Sequence, residues 1–217
     1  TITDSYIQGS TAAHIDNSKG TVINSSVLMA TNSIGNGLHL TGGSINLSLS
    51  SNTMIGGSQA AGIYLDLNNA GSIVLSSNAI RGAKYGLYIA SQTAGTTLSI
   101  TSMTFQSLSA GATAVDFLAS NIVATFTVVN FSDANVAVNV NASLLGPSSK
   151  ITFRDYAGTK GGPAYENDPS GLVEWRFPYP VPSGCGVVLN VGKDGLGDAT
   201  NIQAAINALP VTMSTTS

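Results

Sequence analysis

Ser51-Asn52-Thr53-Met54-Ile55-Gly56 leads through a short turn into Gly62-Ile63-Tyr64-Leu65, and Ser77-Asn78-Ala79-Ile80-Arg81-Gly82 leads in the same way into Gly86-Leu87-Tyr88-Ile89. The phrase is a small polar pair, an apolar residue, a Gly/Ser/Ala turn, and a strand of the form Gly-apolar-X-apolar. It recurs roughly every 25 residues, the range of periods that marks a stacked architecture whose single units cannot bury their own apolar face.

Working outward from these two copies, six turns can be written. Toward the start lie Asp4-Ser5-Tyr6-Ile7-Gln8-Gly9 with Ala13-His14-Ile15, then Ser25-Ser26-Val27-Leu28-Met29 with Gly37-Leu38-His39-Leu40. Toward the end lie Ser102-Met103-Thr104-Phe105 with Ala114-Val115-Asp116-Phe117, and Val129-Asn130-Phe131 with Val136-Ala137-Val138-Asn139-Val140; these keep the apolar positions and lose the glycines. Each turn carries a third short apolar strand, such as Ile45-Asn46-Leu47, Ile73-Val74-Leu75 or Leu98-Ser99-Ile100. Three short strands per repeat make one coil of a parallel β-helix.

A sandwich would instead need hairpin turns, which favour Asn-Gly or Asp-Gly between alternating runs. Here Asn36-Gly37 falls at the entrance to a repeat strand. In a solenoid, like positions stack one strand spacing apart, about 4.8 Å. Inward Ile, Leu, Val and Phe then form ladders, and Ser and Asn at the bends can bond along the stack.

The Ser-Asn-X-Ile-X-Gly phrase followed by Gly-Ile-Tyr-Leu resembles the right-handed parallel β-helix repeat of the pectate-lyase-like superfamily. The resemblance covers residues 1 to 155 and implies an all-β, right-handed parallel β-helix of about six coils. It implies little about activity, because the superfamily includes polysaccharide lyases, pectin methylesterases, glycoside hydrolases and viral tailspikes.

Only 9% of residues are charged, against about 25% in ordinary soluble domains. The stacked geometry explains it, since a charge at a repeated position would meet its equivalent on the next coil. A net charge of −3 with eight scattered Lys and Arg offers no stripe for phosphates, so nucleic acid is not an expected partner. The longest apolar runs are far shorter than the ~20 residues that span a bilayer, and no membrane span is expected. Neither a Met nor a signal peptide is visible at Thr1, which reads as processing or excision from a longer chain. The single Cys185, between Gly184 and Gly186, reads as packing.

Composition divides the chain into 1–157, the coils; 158–186, a connector rich in Pro, Gly and aromatics; and 187–217, a strand, an amphipathic helix and a polar tail. Gly161-Gly162-Pro163, Asp168-Pro169 and Phe177-Pro178-Tyr179-Pro180 argue that the connector does not continue the coils. Thr200 and Gln203 form a capping box, Ile202, Ala205, Ile206 and Leu209 one apolar stripe, and Pro210 the stop. The Gly-rich turn Gly192 to Gly197 matches neither the P-loop nor the dinucleotide fingerprint.

Val191 through Pro210 looks like the lead-in of pectin-methylesterase-like β-helices, with Asn201 disturbing the match. In that family the phrase stands before the first coil and its helix covers the open core; in this chain it follows the coils. Circular permutation, excision from a tandem array, or a helix that caps a neighbouring subunit would each account for the order. Reading Ser217 into Thr1 restores the family's sequence of cap and first coil.

Lyase and hydrolase steps in such folds need paired acid and base groups or a cation site. Between Lys19 and Asp133 the only charged residues are Asp66, Arg81, Lys84 and Asp116, and no two carboxylates share a coil phrase. Asp66 and Arg81 read as a cross-coil ion pair. His14, His39, Tyr64, Tyr88, Asp116 and Asn139 occupy one repeated position, and His39, Tyr64 and Tyr88 form the candidate glycan face. No catalytic residue, metal ligand or cofactor is assigned, and the reading leans away from an enzyme without deciding it.

The first expectation is therefore a structural extracellular, cell-surface or virion β-solenoid that assembles with itself head to tail, into a filament or spike. Its expected interface comprises Trp175, Phe177, Tyr179, Ile202, Ile206 and Leu209. The alternative is a carbohydrate-active β-helix (polysaccharide lyase, esterase or depolymerase) or a noncatalytic glycan-binding adhesin, with polysaccharide as partner.

Overall fold

The computed structural model describes residues 1–66, 70–90, 96–118, 122–131, 133–140, 149–157, 166–167 and 173–176. Five coils carry three separate strands each. The first holds β1 (Ile2–Thr3), β2 (Tyr6–Gly9) and β3 (Ala13–Asp16); the second β4 (Thr21–Asn24), β5 (Val27–Ala30) and β6 (Leu38–Thr41). The third holds β7 (Ile45–Ser50), β8 (Thr53–Ile55) and β9 (Ala61–Leu65); the fourth β10 (Ala70–Ser76), β11 (Ala79–Arg81) and β12 (Tyr85–Ile89). The fifth holds β13 (Thr97–Thr101), β14 (Thr104–Gln106) and β15 (Thr113–Phe117). In the sixth, β16 (Val123–Asn130) runs through the first two positions, pairing with both β13 and β14, before β17 (Val136–Val140). Every pairing between coils is parallel, which gives an all-β solenoid with no helix among the described residues.

Three further strands follow: β18 (Lys150–Ala157), β19 (Glu166–Asn167) and β20 (Val173–Arg176). β18 lies on β16, β19 on β17 and β20 on β18, all in parallel. Two strands inside the Pro- and Gly-rich stretch thus extend the sheets, against the expectation that this stretch leaves the coils. The physical reason is placement: neither strand contains Pro or Gly, and those residues fall before, between and after the two strands. The strand and helix expected within 187–217 lie outside the described residues.

The Ser-Asn pair of the repeat is a corner. Its first residue is left-handed in every coil: Asp4 (φ 48), Ser25 (48), Ser51 (57), Ser77 (55), Ser102 (54) and Val128 (55). The next residue turns inward and is buried, as at Ser26, Asn52, Asn78, Met103 and Val129. A polar side chain is stable there only when its hydrogen bonds are met. Asn52 Nδ2 donates to Ile23 O at 2.8 Å and Asn78 Nδ2 donates to Leu49 O at 3.0 Å. The backbone N–H of Ser26 donates to Asn52 Oδ1 at 2.9 Å, so each coil's corner is bonded to the next.

The interior is a set of columns. Ile23, Leu49, Leu75, Ile100, Phe126 and Phe153 stack in one; Leu28, Met54, Ile80, Phe105 and Phe131 run in another. Aliphatic side chains fill the early coils and phenylalanines the later ones, with Phe126 and Phe153 stacked at 4.3 Å. Each fully buried side chain of this size contributes about 1.5–3 kcal/mol.

The strand glycines follow from the columns. A Cβ on Gly86 would lie 2.3 Å from Phe105 Cδ1, and one on Gly62 would lie 2.2 Å from Ile80 Cγ2. The side chain of the next coil fills the space that a methyl would take.

Candidate functional site

Strands β3, β6, β9, β12, β15 and β17 form one side of the solenoid, with β19 at the far end. Their alternation sends Leu38 and Leu40, Ile63 and Leu65, or Leu87 and Ile89 inward and the residue between them outward. The outward residues are in strict register: His14 on His39, His39 on Tyr64, Tyr64 on Tyr88, Tyr88 on Asp116, and Asp116 on Asn139. The column read from the sequence is thus assembled on one face.

Its first three rings stack on one another. His14 and His39 lie 4.7 Å apart with planes 8° from parallel, and His39 and Tyr64 lie 4.7 Å apart at 4°. Tyr88 breaks the pattern: it meets Tyr64 edge to face at 4.9 Å and 87°, and Tyr85 packs on it at 5.0 Å. Both faces of His39 are therefore covered, and a ligand approaching it from solvent meets the ring's edge.

Asp66 joins the column. Its backbone N–H donates to Leu40 O, and its Oδ2 lies 3.5 Å from His39 Nε2, at the long limit of a hydrogen bond. That nitrogen is buried without a well-formed hydrogen bond. The anticipated Asp66–Arg81 pair is not made, because Arg81 stands on β11 in the other sheet and donates Nη2 to Gln106 Oε1 at 2.8 Å. The sequence carried one unused signal: Asp66 lies two residues past Tyr64 and so shares its face, although that spacing does not single out His39 as its neighbour. The packing of Tyr85 had no such signal.

Farther along, Asp116 is only 5% exposed and accepts a 2.8 Å hydrogen bond from Asn139 Nδ2. Burial raises its pKa above 3.8, and the Asn139 bond opposes that shift. His39 is lowered from 6.5, first by burial and then by the charge of His14, which together outweigh the attraction of Asp66. Tyr64 is raised by burial and Asp66, and Tyr88 by burial and then Asp116. Each of these four shifts disfavours the charged form, on a face whose aromatic rings suit stacking and hydrogen bonding.

Of the expected interface, only Trp175 falls among the described residues; its backbone in β20 is in register with Phe153. Phe177, Tyr179, Ile202, Ile206, Leu209 and Cys185 lie outside them. Among the described residues no group of three or more His, Cys, Asp or Glu side chains could hold a metal ion, and no helix is long and apolar enough to cross a membrane. No family model, curated protein or solved structure matches the chain.

Proposed function

We propose that this protein is a structural extracellular, cell-surface or virion β-solenoid that assembles head to tail with further copies of itself. The observation that carries the reading is the edge formed by β1, β2 and β3. Among the described residues each of these strands pairs on one side only, and Ile2, Ile7 and Ile15 are only partly buried against the core. A parallel strand edge over an apolar core is a template for addition. The stripe Ile202, Ala205, Ile206 and Leu209 gives a neighbour's segment 199–217 the apolar face to cover it. The resemblance of the coils to the pectate-lyase-like superfamily, and of 191–210 to its leading cap, supports the same arrangement.

Electron microscopy and light scattering of the full chain test this. Regular filaments or closed rings that disappear on deletion of 199–217 are expected, and a monodisperse monomer over a wide concentration range overturns the reading.

The outward column favours one second reading, a carbohydrate-active or glycan-binding solenoid. Tyr88 is turned out of the stack beside Asp116, placing an aromatic ring and a carboxyl side by side on the face. Binding to, or product release from, a polysaccharide panel that is lost in Tyr88→Ala would favour it; an inert wild-type protein would count against it.

A further inference from the structure

We propose that the stacked pair His14 and His39, with Asp66 beside it, is an acid-sensitive latch that holds β3 onto the solenoid at neutral pH and loosens it on acidification.

The two imidazoles stand in register on adjacent strands with centroids 4.7 Å apart. Neutral rings at this spacing attract; two imidazolium ions repel. His39 Nε2 is buried, so water cannot screen a charge placed on it. β3 is the edge strand of its sheet, held by β6 alone among the described strands, and its inward residues Ala13 and Ile15 are only partly buried. A strand that pairs on one side only among the described residues therefore carries the residue that a second charge would push away.

The surrounding groups direct the response. From β3, His14 and Asp16 face β6, with Asp16 opposite Thr41; from the third coil come Tyr64 on β9 and Asp66 just beyond it. β6 has no other titratable side chain. Asp66 lies on the third-coil side of His39, tied by its N–H to Leu40 O, so a protonated His39 is drawn toward the third coil and repelled from the first. The junction that yields is β3 against β6. Tyr64 and Tyr88 take the histidine position in the third and fourth coils and Asp116 and Asn139 in the fifth and sixth, which confines the device to the first two coils.

The sign follows from the His39 shift. Its folded pKa lies below 6.5, so the stability due to neutral His39 is complete above 6.5 and is lost as pH falls through the lowered value.

Hydrogen exchange of the full chain, read at the β3 and β6 amides between about pH 7.5 and about pH 5 and corrected for intrinsic rates, tests the latch across the imidazole range. The wild type should lose protection there on acidification, while amides of β12 and β15 keep theirs. His39→Tyr, which copies the next coil, and His14→Gln, which removes the like charge, should each flatten the response. Unchanged protection at β3 in the acidified wild type, or an equal loss in both variants, overturns the proposal.

Discussion

Asn52 Nδ2 lies 3.1 Å from Asn78 Oδ1, and the same oxygen accepts the backbone N–H of Asn52 at 3.0 Å. One buried amide thus closes the corner of the coil below and, through its own Nδ2, satisfies Leu49 O. Asn78→Leu would strand the Asn52 N–H and the Leu49 carbonyl in a dry corner. A buried polar group left unpaired costs about 1–3 kcal/mol, so a loss of roughly 3 kcal/mol is expected in chemical denaturation. A loss below about 1 kcal/mol would mean that water reaches the corner.

Val128 takes the corner position with φ 55, where the other coils place Asp or Ser. A β-branched residue is strained in that region, and Val128 is 52% exposed, so little packing compensates. Val128→Asn should raise stability by about 1 kcal/mol, visible as a higher Tm. A lower Tm would show that the valine makes contacts that outweigh its backbone strain.

Gly86 and Phe105 compete for one space. Gly86→Ala should destabilise by about 1–3 kcal/mol, because its methyl would also stand 2.5 Å from Ala114 O. Phe105→Leu in the same chain should recover part of that loss, so a double-mutant cycle is expected to show favourable coupling. Additive effects would place the clash entirely on the carbonyl.

Asp116 gives a second pH signature, opposite in sign to that of His39. Its pKa is raised above 3.8, so the stability linked to its protonated form is full below that value and is lost as pH rises through the raised one. Asp116→Asn keeps an acceptor for Asn139 Nδ2 and removes the charge. The variant should melt higher than wild type at neutral pH, with the gap closing in acid; a gap independent of pH would point to packing instead.

Much of this molecule could be read before its coordinates. The apolar spacing of Met54, Ile63 and Leu65 against Ile80, Leu87 and Ile89 specified coils, and the repeated place of His14, His39, Tyr64 and Tyr88 specified a column. The tilt of Tyr88, the burial of Asp116 and the choice of His39 over Arg81 as neighbour of Asp66 were not legible. They depend on rotamers and on which strand adjoins which sheet, and a one-dimensional period does not encode either.

The repeat alone determined a parallel stack, because residues that recur at one period can bury their apolar faces only against their own equivalents on the next coil. It determined also that charge would be scarce, since equivalent positions meet. Only the tertiary structure decided what each column does. Asn52 and Asn78 are buried because their amides find partners in the neighbouring coils, and His39 carries a lowered pKa because burial and the charge of His14 outweigh the attraction of Asp66. The coils also reach into the Pro-rich stretch, where β19 and β20 still find an open strand edge to pair with.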